Sequence, residues 1–209
     1  MKLAFDLDGT LIAGEQRQIY LLKAISSKYG FKLDYHDIWS QKREGKNNFS
    51  CLVDLGVERE IVSKICSQWV SDVESSYWLS LDTPFLDTYQ VLNSLKNKKI
   101  DVSIITARKN ELNMLCQLRN LGLARFFSNI YCVNPANAIA DKALILRSNR
   151  FTGFIGDSEV DVQSSSYAEV KFCAVSTGQR SKDFLLNNGA TSVQNSLSKA
   201  LKLLVNTSY

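Results

Sequence analysis

Hydrophobic and polar residues alternate with two different rhythms along this chain. The run from Lys2 to Asp6 has the apolar pattern of a short buried strand. Between residues 14 and 80 the apolar residues recur at helical spacing, and no strand pattern occurs. From residue 81 onward, strand-length apolar runs alternate with amphipathic stretches of helical length. The pattern predicts an α/β fold whose first strand is separated from the others by a helical insertion.

The helical insertion is predicted at residues 14–80, as a small all-helical domain between two core segments, 1–13 and 81–209. The hinge that leads into it is predicted at Ile12-Ala13-Gly14. Apolar stripes and stop signals place its helices at residues 16–29, 35–41, 49–55 and 58–79, with a basic, glycine-containing loop at residues 42–48.

The second part of the chain is predicted to build most of the sheet. Thr83 has the character of a helix N-cap and Pro84 that of a first helical residue, which predicts a helix ending near Lys96. Strand–helix alternation implies right-handed crossovers, and therefore a doubly wound parallel sheet with helices on both faces. The strands are predicted at residues 100–105, 129–133, 151–155 and 170–175, and a closing helix at residues 196–205.

Composition narrows the classes of function. The chain has 209 residues and a formal net charge of +4 without an arginine-rich run, so we expect no nucleic-acid partner. Five cysteines without a CxxC pair and a single histidine argue against a zinc site and a histidine-based triad. No signal-peptide pattern and no membrane-length apolar run are present, so we expect a cytoplasmic protein with no membrane partner.

The most informative stretch is Phe5-Asp6-Leu7-Asp8-Gly9-Thr10-Leu11. Asp6 and Asp8 are two residues apart, so on an extended chain their carboxylates project to the same side. Carboxylates this close raise each other's pKa unless a cation lies between them. Gly9 allows the chain to turn sharply beside them. The stretch therefore predicts a divalent-metal site, a proton shared between two acids, or both.

Further polar residues follow predicted strands later in the chain. Thr106 ends one strand, and Asp157 follows another, with Asp161 four residues on. Lys142 is the only lysine between Lys109 and Asp157. Because ligands bind at the carboxyl edge of a parallel sheet, we expect these side chains to meet the opening acid pair there. A hydroxyl with a backbone N–H suits a phosphate oxygen, and an all-carboxylate set suits Mg²⁺; helix capping is the alternative role for Asp161.

The order of these residues resembles a known family. Asp6-Leu7-Asp8-Gly9-Thr10-Leu11, Thr106, Lys142 and Gly156-Asp157 with Asp161 are similar to the four ordered motifs of the haloacid dehalogenase superfamily. With its helical insertion after the first motif, essentially the whole chain resembles the phosphoglycolate phosphatase-like members. The resemblance implies a phosphatase core with a helical cap, Mg²⁺ as cofactor, and phosphoryl transfer in two steps through a covalent aspartyl phosphate.

The resemblance also implies a role for each motif residue. Asp6 would be the nucleophile, and Asp8 would protonate the leaving oxygen and then deprotonate the attacking water. Thr106 would hold a phosphate oxygen, and Lys142 would neutralise Asp6 and the phosphoryl group. The implied metal ligands are the Asp6 carboxylate, the backbone carbonyl of Asp8, Asp157, and Asp161 either directly or through water.

The substrate itself is not determined by the sequence. We expect the N–H of Ala107 to bind phosphate. The resemblance implies that the basic loop closes over the site, where Arg43 and Lys46 would meet an anionic leaving group; a solvated loop is the alternative. The expected partner is a small phosphorylated metabolite: glycolate phosphate, a sugar phosphate or a nucleoside monophosphate. A sugar phosphomutase and a non-enzymatic phospho-aspartate switch stay open as alternative functions, and so does the choice between a monomer and a homodimer.

Overall fold

The computed structural model describes residues 1–206, so residues 207–209 of the predicted core segment 81–209 lie outside the described part of the chain. The strands are β1 (Lys2–Phe5), β2 (Ile12–Ala13), β3 (Thr83–Pro84), β4 (Asp101–Ala107), β5 (Asn129–Val133), β6 (Gly153–Gly156), β7 (Lys171–Val175) and β8 (Val193–Gln194). Six of them form one sheet in the order β5-β4-β1-β6-β7-β8, with every neighbouring pair parallel. The predicted parallel α/β fold is confirmed.

Five helices lie between β2 and β3, and six lie after β3 among the strands of the sheet. The first five are α1 (Glu15–Lys28), α2 (Tyr35–Arg43), α3 (Asn48–Asp54), α4 (Arg59–Asp72) and α5 (Ser76–Leu79). The others are α6 (Thr88–Asn97), α7 (Glu111–Asn120), α8 (Ala138–Ser148), α9 (Glu159–Ala168), α10 (Lys182–Asn187) and α11 (Leu197–Asn206). No helix of the described chain is both long enough and apolar enough to cross a membrane.

Helices cover both faces of the sheet because alternate residues of its strands point to opposite sides. Leu3 and Phe5 of β1 belong to one buried cluster, together with residues of α6, α7 and α11. Ala4, between them, packs in a second cluster with Phe154 of β6 and Leu146 of α8. The two clusters hold β1 in the middle of the molecule. They therefore also fix the position of the residues that directly follow Phe5 at the end of β1.

Residues 15–79, which we call the helical region, have a hydrophobic core of their own. Its fully buried members include Ile19 and Leu22 of α1 and Val62 and Ile65 of α4, as helical spacing predicts. The chain enters and leaves this region through β2 and β3, which pair with each other in antiparallel fashion. The region is therefore joined to the rest of the chain at a single two-stranded ribbon.

That ribbon corrects one prediction. Thr83 and Pro84 do not begin a helix: they pair with Ala13 and Ile12, and α6 starts only at Thr88. A proline is tolerated at the edge of such a short ribbon, so the tertiary pairing overrides the local helix signal. Smaller differences are a break at residues 73–75 in the helix predicted over 58–79, and the short strands β2, β3 and β8, which the sequence did not predict.

Candidate active site

The carboxyl edge of the sheet gathers side chains from three neighbouring strands. Phe5 is paired with Ile104 of β4 on one side and Ile155 of β6 on the other. Because the strands are parallel and in register, Asp6, Thr106 and Asp157 follow at similar heights on one edge. All three are almost completely buried.

Three acids and one lysine form a cluster at this edge. One carboxylate oxygen each from Asp6, Asp157 and Asp161 lies within 4.8 Å of the others. The Nζ atom of Lys142, on α8, donates to Asp6 Oδ1 and Asp161 Oδ1, both at 2.7 Å. Three carboxylates and one ammonium leave a net charge of about −2 when all are ionised. A divalent cation would balance that charge.

Shifts in pKa reflect this excess of negative charge. Burial, and then the neighbouring Asp161 and Asp8, raise the pKa of Asp6 to about 7 even though Lys142 lowers it. Burial raises the pKa of Asp157 well above its ordinary value, and Asp6 and Asp161 add to the effect. Burial alone would lower the pKa of Lys142, but its two carboxylate partners outweigh burial and raise it. The cluster therefore favours binding of a positive charge.

Asp161 has two structural partners besides its place in the cluster. Its Oδ2 accepts hydrogen bonds from the backbone N–H and the hydroxyl of Ser158, which forms a capping box at the start of α9. Its Oδ1 accepts from Lys142. Capping and participation in the cluster are thus combined in one residue, and both of its oxygens are engaged by the protein.

Asp8 lies in a different electrostatic environment from Asp6. Arg108 donates to it through Nε at 2.6 Å and Nη2 at 2.7 Å, and Arg17 of α1 donates through Nη2 at 2.5 Å. Arg17 also binds both oxygens of buried Asp82 at 2.9 Å, and Gln117 of α7 donates to Asp82 at 2.8 Å. We call these five residues the arginine network. Two arginines and two aspartates are balanced in charge without any added ion.

The two acids of the opening stretch are therefore distinguished by their surroundings. Burial would raise the pKa of Asp8, but Arg108 and Arg17 outweigh burial and lower it, so the carboxylate form is favoured. Asp6, by contrast, has Lys142 as its one hydrogen-bonded cation among the described residues. Residue type and position alone do not separate the two, and only the resemblance assigned them different roles. No local pattern indicates Arg108 as a partner of Asp8, because the two are 100 residues apart in the chain.

A loop after β7 completes the site, and the sequence analysis missed it. The backbone N–H of Gln179 donates to Asp157 Oδ2 at 2.7 Å, and the hydroxyl of Thr177 donates to the carbonyl of Gly9 at 2.7 Å. A Cβ on Gly178 would lie 2.0 Å from Asp157 Oδ2, so only glycine fits there. The loop follows a strand of the same parallel sheet, and from that position alone it could have been predicted to line the site.

These residues surround a cavity of about 280 Å³. Thr106 and Ala107 line it beside the acid cluster, and within the described chain the Thr106 hydroxyl makes no hydrogen bond. The helical region contributes Glu15, Gln18 and Trp39 to the wall. The cavity thus lies between the sheet edge and the helical region, with the acids at its floor.

The two predicted basic-loop residues lie outside the cavity wall. Arg43 donates to the carbonyls of Gly178 at 2.7 Å and Ser176 at 3.1 Å, so it joins the helical region to the loop after β7. Lys46 pairs with Asp54 at 2.6 Å within the helical region. Their role in substrate binding stays a prediction, and in this arrangement neither cation faces the acids.

Comparison with known proteins agrees with this geometry. The sequence pattern of a family described as haloacid dehalogenase-like hydrolase matches residues 3–175. No curated protein matches the chain. Similar solved structures include a predicted phosphatase from Clostridium acetobutylicum, with TM-score 0.75, 19% identity and 98% of each chain covered. A predicted phosphoglycolate phosphatase from Haemophilus somnus has TM-score 0.71, 13% identity and 96% coverage of each chain. A Thermotoga maritima protein assigned as a β-phosphoglucomutase has TM-score 0.68, 18% identity and 98% coverage of each chain.

Proposed function

The chain belongs to the haloacid dehalogenase-like hydrolases, and we propose that within this family it hydrolyses a small phosphate monoester through a phosphorylated Asp6. The observation that carries the proposal is the meeting of Asp6, Asp157, Asp161 and Lys142 beside the unpaired hydroxyl of Thr106. A nucleophile, a compensating cation and a phosphate anchor from four segments of the chain thus line one small cavity. Phosphoryl transfer requires this kind of positioning and charge neutralisation.

The acid cluster fits Mg²⁺, because the net charge of its three carboxylates and Lys142 is about −2 and its buried ligand atoms are all oxygens. We propose that the carboxylates of Asp6 and Asp157 and the backbone carbonyl of Asp8 hold the ion. Asp161, whose oxygens already accept hydrogen bonds from Ser158 and Lys142, would orient Lys142 from behind these ligands. Bound Mg²⁺ would supply neutralisation of the charge on the phosphoryl group.

In the first step a carboxylate oxygen of Asp6 forms a bond to phosphorus as the bond from phosphorus to the leaving oxygen breaks. The leaving oxygen would take its proton from the Asp8 carboxyl, and the alcohol departs. Lys142 and Thr106 would bind the charged oxygens during this exchange. In the second step water attacks phosphorus, the bond to Asp6 breaks, and inorganic phosphate leaves. Asp8, left as a carboxylate by the first step and favoured in that form by its two arginines, would take a proton from the attacking water and so regain the proton it gave.

The test is phosphate release from p-nitrophenyl phosphate by purified protein with and without Mg²⁺. Asp6→Asn should lower turnover by about a thousandfold or more. The control Asp183→Asn changes an exposed carboxylate outside the cavity and should retain activity. Asp157→Asn should abolish the rise in melting temperature on adding Mg²⁺. Activity retained by Asp6→Asn would refute the assigned nucleophile.

Two further measurements separate the alternative functions from phosphate-monoester hydrolysis. A sugar phosphomutase would interconvert sugar phosphates and need a bisphosphate activator, whereas a phosphatase releases inorganic phosphate without one. A phospho-aspartate switch would instead accumulate a long-lived phosphorylated protein after treatment with acetyl phosphate. We expect rapid release of inorganic phosphate without a bisphosphate activator, and no long-lived phosphorylated protein.

A further inference from the structure

The cavity is small and has walls of different character. Its volume of about 280 Å³ is below the roughly 300–1,000 Å³ of sites that hold drug-sized ligands. The floor at the sheet edge holds the acid cluster and Thr106, which would receive the phosphoryl group. The leaving group must therefore contact the rest of the cavity wall, to which the helical region contributes Glu15, Gln18 and Trp39 and the loop after β7 contributes Gln179.

Neither of the two cations that line the cavity is available for a second anionic group. The ammonium of Lys142 is bound to Asp6 and Asp161. The guanidinium of Arg180 donates to both oxygens of Glu159, at 2.7 and 2.8 Å, and to the carbonyl of Lys42 at 2.9 Å. Among the residues the structure describes, no other lysine or arginine lines the cavity.

The described residues of this part of the wall offer a carboxylate, two carboxamides and the indole N–H of Trp39, but no cation. Glu15 lies in the first turn of α1 and makes no ion pair with a lysine or arginine within the described chain. Its neighbouring donor is the hydroxyl of Tyr35, whose pKa is raised by burial and then by Glu15, so a carboxylate oxygen is left for a second donor. Gln18 accepts through Oε1 from Gln179 Nε2 at 3.1 Å, which ties the helical region to the loop after β7. A carboxylate on the leaving group would face Glu15 without a cation between them, which is unfavourable in a partly buried site.

We propose that the leaving group of the substrate is a small alcohol with hydroxyl or ammonium donors and no negative charge. Glu15 would accept a hydrogen bond from such a donor, and Gln18 with Gln179 would accept or donate a second one. This inference rests on the proposed phosphatase activity. It distinguishes the substrate from phosphoglycolate, the compound for which the Haemophilus somnus protein is named.

Two pairs of phosphate monoesters of matched size test the proposal. Phosphoethanolamine is compared with 2-phosphoglycolate, and glycerol 3-phosphate with 3-phosphoglycerate, by kcat/KM for phosphate release. We expect the uncharged or cationic member to be preferred by about tenfold or more in each pair, as one unscreened charge in such a site requires. Equal values, or a preference for the carboxylates, would overturn the inference.

Variants of Glu15 make the test specific to the wall. Glu15→Gln keeps an acceptor but removes the charge, so it should raise kcat/KM for 2-phosphoglycolate and lower it for phosphoethanolamine, which narrows their ratio by about tenfold. Asp37→Asn makes the same change of charge at an exposed position outside the cavity, and should leave the ratio unchanged. An unchanged ratio in Glu15→Gln would remove Glu15 from the selection.

Hydrolysis of p-nitrophenyl phosphate distinguishes failure of the inference from failure of the proposed function. The nitrophenyl group carries neither a hydrogen-bond donor nor a carboxylate, so its hydrolysis does not depend on the inferred contacts. If the protein hydrolyses p-nitrophenyl phosphate but prefers the carboxylate esters, only the inference about the leaving group is wrong. If it hydrolyses no phosphate monoester in the presence of Mg²⁺, the proposed function is wrong and the inference falls with it.

Discussion

Replacing Arg17 by methionine removes the residue that joins the helical region to Asp8 and Asp82. Arg17 is almost fully buried and binds Asp82 through Nε and Asp8 through Nη2. In Arg17→Met the arginine network keeps two carboxylates and one guanidinium, so its net charge changes from zero to −1. Methionine fills a similar volume, so the change in unfolding free energy reflects the lost charge more than lost packing.

The expected loss of stability is large because the only other cation near Asp82 among the described residues, Arg108, is 3.8 Å away and donates hydrogen bonds to Asp8. The side chain of Asp82 is 0% exposed, and burial already raises its pKa. Removing one partner of a buried ion pair costs about 3–5 kcal/mol, since an uncompensated charge stays behind. We therefore expect the free energy of unfolding of Arg17→Met to fall by about 3–5 kcal/mol. Lys64→Met, which removes an exposed pair with Glu60, is the control and should have little effect.

A double-mutant cycle with Asp82→Asn isolates the charge term. Each single variant leaves a buried charge unbalanced, whereas the double variant Arg17→Met/Asp82→Asn retains one aspartate and one arginine. The loss of unfolding free energy in the double variant should therefore be smaller than the sum of the two single losses by about 2 kcal/mol or more. Urea unfolding is followed by tryptophan fluorescence and circular dichroism together, because all three tryptophans lie in the helical region. Losses that add within about 0.5 kcal/mol would refute the reasoning.

Three further changes test separate parts of the structure. Burial lowers the pKa of Lys42 to about 8, so between that pH and its ordinary value of 10.5 the unfolded state holds more protons and stability rises with pH. Lys42→Met should therefore be more stable at pH 7 by up to about 3 kcal/mol, with the gain vanishing near pH 10.5 in urea titrations; a gain that persists there would contradict this. Gly178→Ala should displace Asp157 and remove the rise in melting temperature with Mg²⁺; an unchanged rise would show that the loop can move away. Arg43→Met should make the loop after β7 more sensitive to proteolysis, whereas Lys46→Met should not, and equal cleavage would argue against the contact.

Local patterns account for the fold because each element is specified by residues close together in the chain. Strand–helix alternation after residue 81 is enough to predict a parallel sheet, and such a sheet has one carboxyl edge where its strand-end side chains must gather. Asp6, Thr106 and Asp157 follow from that rule alone. Thr83 and Pro84 show its limit, since their local signal favours a helix but their pairing with β2 makes them a strand.

Only the tertiary structure decided the different environments of Asp6 and Asp8. In residue type and local position the two are alike, each an aspartate in the same turn, yet Asp6 shares Lys142 with Asp161, whereas Asp8 is held by two arginines. Arg108, Asp82 and the loop after β7 come from distant parts of the chain, and no periodicity encodes which of them will touch. Ion pairs depend on where packed elements place their side chains, so the sequence alone determines which acids reach the edge, and the packing determines what each acid meets there.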